Sequence, residues 1–244
     1  MVRIGSSGTI GRAARIAAIR AAREKWVEFI DWTQRHPSPR WIFRGQAQHW
    51  PLRPSVGRLR SYKPEAEVLM LSEFKRAALA FIDRGALRNS WDLLAIAQHY
   101  GLPTRLIDWT TNPLVAAFFA SEHSPRSKRD GEIIAVRARE VGYYRPDDPD
   151  EEDPFEIGEA GFLRTSALAT RIIAQKGLFS IHPTPTHPWR LRNQTDRFLI
   201  PAGMKTHFQR ALFSMGVDAA LLMADLDGLA RTLRWRFENG VLTE

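Results

Sequence analysis

The chain has no cysteine among its 244 residues. That absence removes disulfides, thiolate metal sites and a cysteine nucleophile together, and it fits a reducing cytoplasm. No apolar run approaches the ~18 residues that cross a bilayer, so no membrane partner is expected. The glycine-rich dinucleotide fingerprint, the P-loop, the HExxH zinc helix and the GxSxG nucleophile elbow are all missing. His182 and His187 flank "PTPT" without acidic neighbours at ligand spacing, so no metal is expected there. No internal repeat or low-complexity tract is found. Lysine is scarce, six against 29 arginines. Guanidinium forks match phosphate oxygens, but a GC-rich genome explains the bias equally well.

What is present is an ordinary globular composition, 44% hydrophobic and 25% charged. The net charge of +8 is unevenly spread. Residues 1–60 hold twelve basic and three acidic side chains, whereas Asp147 to Glu159 holds eight acids and no base. The first 23 residues lack acids and have the look of a transit segment. They run without a break into Ile19, Ala22, Trp26, Phe29 and Ile30, which share one helical face. An amphipathic helix over about residues 10–35 is the better reading.

The rest reads as one α+β domain, helix-rich with a modest mixed or antiparallel sheet. Residues 1–40 form a helical lead-in and 41–244 the domain proper. "WIFRG" at Trp41 is a short strand. The face Met70, Phe74, Ala77 and Phe81 predicts a helix over about 64–84. Ser90 is read as the cap of a helix ending near Tyr100. Asn112-Pro113 is a strong helix start, and the helix that follows, "PLVAAFFASE", is apolar nearly all round and therefore central. "GEIIAVRA", "KGLFSIH" and "DRFLIP" are strands. Residues 142–161 form a long acidic loop, expected to be exposed and mobile. A helix in "MKTHFQRALFSMG" precedes a last one, "DLDGLARTLRW", with Leu226, Leu229, Ala230 and Leu233 turned inward.

Three segments carry candidate chemistry. In "FRGQ", Arg44 sits on a strand between Phe43 and Gly45. Its fork either pairs with a buried acid such as Asp108, with Gly45 admitting neighbouring backbone, or receives a phosphate or ribose for which Gly45 makes room. The stretch "LAIAQHYGLPTRLIDWTTNPLVAAFFA" sets Gln98, His99, Thr104, Arg105, Asp108 and Thr110 among apolar residues. An arginine, two hydroxyls and a helix start suit an anion. They equally suit a self-satisfied network in which Arg105 pairs with Asp108, because an unpaired buried charge is costly. In "RIIAQKGLFSI", Gln175 either satisfies a strand end or faces a ligand. Gln46 belongs with the first segment.

These segments, with "WIFRGQAQHWPLRPSVGR", "FLIPAGMK" and "MGVDAALLMADLDGLA", resemble the FRG domain, a bacterial and phage-associated family named for its (Phe/Tyr)-Arg-Gly motif. The resemblance runs from about Trp41 to Leu233 and departs at Met223-Ala224, where relatives often carry Phe-Pro. The order of an aromatic-Arg-Gly strand, a hydroxyl segment leading into an Ala/Phe-rich helix, and a polar residue before a late strand also resembles the arginine class of ADP-ribosyltransferases. That resemblance implies NAD as substrate, no metal, and Arg44 on its phosphate or ribose. Thr110 or Thr111 falls near the nicotinamide pocket, and Gln175 stands where the family has its catalytic glutamate. A neutral amide gives an oxocarbenium-like centre far less electrostatic help than a carboxylate, and Asp108 is the nearest carboxylate to serve instead. The implied partners are a nucleotide-like small molecule and a nucleic-acid or protein acceptor, in a bacterial defence or toxin setting. The alternatives are a non-catalytic module for a nucleotide or phosphate ligand, and non-specific nucleic-acid binding through the basic first helix.

Overall fold

The computed structural model describes residues 7–82, 85, 87–122, 128–148, 150–163, 175–191 and 195–241. Arg171 to Ala174 of the "RIIAQ" segment lie outside them. Seven helices are described: α1 (Ser7–Arg35), α2 (Pro64–Ala78), α3 (Ser90–His99), α4 (Pro113–Ser121), α5 (Lys205–Ser214), α6 (Ala219–Met223) and α7 (Leu226–Glu238). Seven strands form one mixed sheet: β1 (Trp41–Gln46), β2 (Leu106–Thr110), β3 (Gly131–Arg137), β4 (Tyr143–Tyr144), β5 (Gly161–Leu163), β6 (Gly177–Ile181) and β7 (Thr195–Ile200). The order is β4-β5-β6-β2-β1-β3-β7, antiparallel except between β4 and β5. The α+β reading holds.

The sheet is two half-sheets held together by one rung. β1 pairs with β3 along all six residues, and β2 with β6 along all five. Between β1 and β2 the only bridged pair is Phe43 with Thr110. Past it the strands part.

Alternate residues of the strands face two cores. On one face Phe43, Ile133, Ala135 and Phe198 pack against α1, α4 and α5, with Phe29, Trp32, Phe208 and Leu212 completing the cluster. Further along that face Leu106, Phe179 and Ile181 meet Leu71 of α2 and Leu94 of α3. The opposite face, with Ile42, Trp109, Ile134 and Phe162, is covered by Leu52, Trp189 and Leu191 from irregular chain.

Helix α4 is central, as its composition requires. Asn112 caps it, accepting from Leu114 N, with Pro113 in the first turn. Two glycines let its backbone lie directly on the sheet. A Cβ at Gly45 would stand 1.8 Å from the carbonyl oxygen of Ala116, and one at Gly131 would stand 2.0 Å from that of Ala120. The fully buried Lys205 ties off the far end, donating to the carbonyls of Glu122 and Ala47. Burial lowers its pKa, opposed by the charge of Asp130.

Several expectations are corrected. The cap of α3 is Asn89, which accepts from Asp92 N. Helix α2 stops at Ala78, and Phe81 is largely exposed, because the buried positions of this helix are Glu67, Leu71 and Ala78. The acidic loop contains β4, its Ile157 is buried, and Tyr144 packs on Trp91. Leu226, Leu229, Ala230 and Leu233 face outward, because α7 seats itself through Gly228 and Thr232.

Candidate functional site

Where β1 and β2 part, a cavity of about 310 Å³ opens between the half-sheets. Arg44 and Gly45 line it from β1, Asp108 and Thr110 from β2, Gln98 and His99 from the end of α3, and Gln175 from the turn before β6. Val115 and Phe119 of α4 supply an apolar wall. The chain thus brings together seven of its ten candidate site residues.

The parting of the strands explains two oddities. Asp108 is exposed in the middle of a central strand whose other residues are buried. Its backbone carbonyl is met by a side chain: Arg44 Nη1 donates to it at 2.6 Å. Arg44 therefore does not form the carboxylate pair that the sequence allowed. Its Nε is buried and, among the described residues, has no hydrogen-bond partner. Burial lowers its pKa, Asp108 opposes that shift, and Arg58 adds to it. A half-buried cation with a buried donor left unpartnered is costly.

The Asp108 carboxylate is held from behind. Gln98 Nε2 donates to Oδ2 at 2.9 Å, and Gln98 Oε1 accepts from the Thr104 hydroxyl at 2.7 Å. This relay fixes the Gln98 amide so that its donor end faces the acid. Among the described residues no donor reaches Asp108 Oδ1. Asp108 is the one carboxylate among the lining residues.

Other candidates are spent internally. Thr110 Oγ1 donates to the carbonyl of Gln175 at 2.6 Å and accepts from Asn112 N at 3.0 Å. Gln175 Nε2 donates to the carbonyl of Leu222 at 3.0 Å, which anchors the turn to α6. Thr111 N donates to Lys176 O at 3.1 Å, within the same turn. The start of α4 is satisfied by Asn112 and Thr110, so it is not the open anion seat that its sequence suggests. The room at Gly45 is filled by α4.

Three candidates lie outside the cavity. Thr104 is buried and acts behind Gln98. Gln46 is buried at the other end of β1, where Nε2 donates to the carbonyl of Trp50. Arg105 pairs with Glu67 and not with Asp108. Nε and Nη2 donate to the two Glu67 oxygens at 3.0 and 2.8 Å, Nη1 donates to the carbonyl of Pro154, and the guanidinium lies over Phe155.

A buried pair near Arg44 carried no signal in the sequence. Ser180 Oγ lies 2.9 Å from His182 Nε2 and accepts from Trp109 Nε1 at 2.9 Å. Burial pushes the His182 pKa down to about 3, with the nearby positive charge of Arg44 contributing second. Burial first, and the Arg44 charge second, favour the neutral imidazole. Among the described residues no group of three or more His, Asp or Glu is placed to hold a metal ion. No helix there is long and apolar enough to cross a membrane.

A family model matches β1, α2, α3, β2 and α4, the elements that supply all the lining residues above except Gln175. Residues 39–129 match the FRG domain. The FRG segment thus includes Arg44, Gln98, Asp108 and the α4 wall, and it ends before the turn that carries Gln175. The resembling stretches after residue 129 are not part of the match. No curated protein and no solved structure matches the chain, so the resemblance to ADP-ribosyltransferases, which extends to Gln175, finds no support there.

Proposed function

We propose that the cleft between the half-sheets binds an NAD-like or other nucleotide phosphate, and that the chain cleaves or transfers at the ribose. One observation carries this reading: Arg44 and the single carboxylate-bearing side chain, Asp108, line one hollow. The cavity volume is at the lower end of the roughly 300–1,000 Å³ usual for ligand sites and accommodates one nucleotide half. Arg44 would grip phosphate or ribose oxygens. Asp108, oriented by Gln98, would face the positive charge that develops at the ribose carbon as nicotinamide departs. Gln175 would position the ligand, since its amide donor already serves Leu222 and it has no charge to offer. A second reading follows from that same neutrality: the cleft recognises a nucleotide phosphate and breaks no bond.

Calorimetry and nicotinamide release, each with labelled NAD, separate the readings. The enzyme reading expects saturable binding and release in the intact chain. Arg44→Ala should lose both, whereas Asp108→Asn should keep binding and lose about 100-fold or more in rate. Binding without release, with and without cell extract, leaves the recognition module. Absence of binding of NAD, its fragments and simple nucleotides rejects both.

A further inference from the structure

Helix α7 shows solvent the side chains that an amphipathic helix normally hides. Leu226, Leu229, Leu233 and Phe237 are 82, 45, 43 and 75% exposed. At 3.6 residues per turn they form one stripe. The helix reaches the rest of the fold through its opposite face. Gly228 lies so close to α6 that a Cβ there would stand 2.4 Å from the Ala219 carbonyl oxygen, and Thr232 Oγ1 accepts from Ala220 N. Four large apolar side chains in one exposed row mark an association surface.

The charges beside the stripe say what covers it. One flank carries Asp227 near the start and Arg234 and Glu238 near the end, Arg234 pairing with Glu238 at 2.8 Å; the other carries Asp225, which caps the helix by accepting from Gly228 N, and Arg236. Among the described residues, Arg236 Nε is buried without a hydrogen-bond partner. A second α7 laid antiparallel sets Leu226 against Phe237 and Ala230 against Leu233. In that register each flank's aspartate lies beside the other copy's arginine. A parallel arrangement would set like charges side by side. Antiparallel pairing about a two-fold axis is self-complementary, as a closed dimer requires.

We propose that α7 is the interface of a homodimer, formed by antiparallel packing of the Leu226–Phe237 stripe on its own copy. A single 13-residue helix covers less than the roughly 800 Å² per partner of a standard interface, so association in the micromolar range is expected.

Sedimentation equilibrium of the intact chain over a range of concentrations tests this. The expected result is a reversible monomer–dimer equilibrium. The double variant Leu226→Glu, Phe237→Glu alters only exposed side chains, so its circular dichroism and melting should be unchanged while its Kd rises by about 100-fold or more. Asp227→Arg or Arg234→Asp alone should weaken the dimer by about tenfold, because each recurs twice in a two-fold pair. An equimolar mixture of the two single variants should recover the affinity. A chain that stays monomeric at hundreds of micromolar overturns the proposal. So does a dimer indifferent to the glutamate pair, or a failure of the mixed variants to recover.

Discussion

Arg44 and Arg105 carry the same guanidinium in opposite circumstances. Arg105 has a carboxylate partner, a carbonyl and an aromatic ring around it, whereas Arg44 has one carbonyl and an idle donor. Arg105→Ala would leave Glu67 buried without its partner and should lower unfolding free energy by about 3–5 kcal/mol. Arg44→Ala, which loses one hydrogen bond to the Asp108 carbonyl but also an unpartnered buried donor, should cost about 1 kcal/mol. Chemical denaturation of the two variants checks this, and a larger loss for Arg44 would speak against a ligand role. Sequence could not separate these arginines, because Glu67 lies 38 residues before Arg105 and nothing local announces the pairing. His182 offers a second test. Its folded pKa, about 3, lies below the ordinary value near 6.5. Neutral His182 therefore favours the fold fully above that ordinary value. Its contribution falls as the pH drops from there towards about 3, by about 1.4 kcal/mol per unit. The stability of His182→Gln should vary less steeply with pH across that window. Equal slopes would show that His182 is not held neutral.

At the scale of elements, α4 and its two glycine seats decide where the cleft can be. Gly45→Ala forces a methyl into the Ala116 carbonyl and should cost about 2 kcal/mol or more as α4 lifts from β1. Thermal unfolding measures this, and a change within experimental error would mean that the helix sits further from the strand. The FRG tripeptide thus has a divided role. Phe43 enters the core, Arg44 meets the cleft and Gly45 admits the helix. Helix α4 was legible in the sequence because capping by Asn112 and Pro113 is a local matter. Strand β2 was less so, since an aspartate amid buried residues makes sense only where two strands separate. Helix α7 misled for a related reason. Periodicity reports that a helix has an apolar face, but not which face the fold uses. Glycine and threonine won the inner side because they allow close approach.

For the whole molecule, the first helix is structural as well as basic. Phe29 and Trp32 pack among Phe198, Phe43 and Phe208, whereas residues 12–20 are exposed. Removing residues 1–35 should abolish the cooperative melting transition, and removing residues 1–18 should preserve it. Calorimetric scans of the two truncations decide this, and retention of cooperativity by the longer one would show a core closed without α1. Only the shorter truncation is a fair test of nucleic-acid binding by the basic end. Fold class and most elements could be read from patterning, because apolar periodicity is written along the chain. The convergence of Arg44, Asp108 and Gln175 depends on strand order, which is not. The lone rung between Phe43 and Thr110 gives that strand order a mechanical meaning. A seam stitched at one point is kept closed by what bridges it elsewhere: on one face the packing of Ile42 and Ile134 against Trp109 and Phe162, and at the mouth of the cleft the reach of Arg44 to the Asp108 carbonyl.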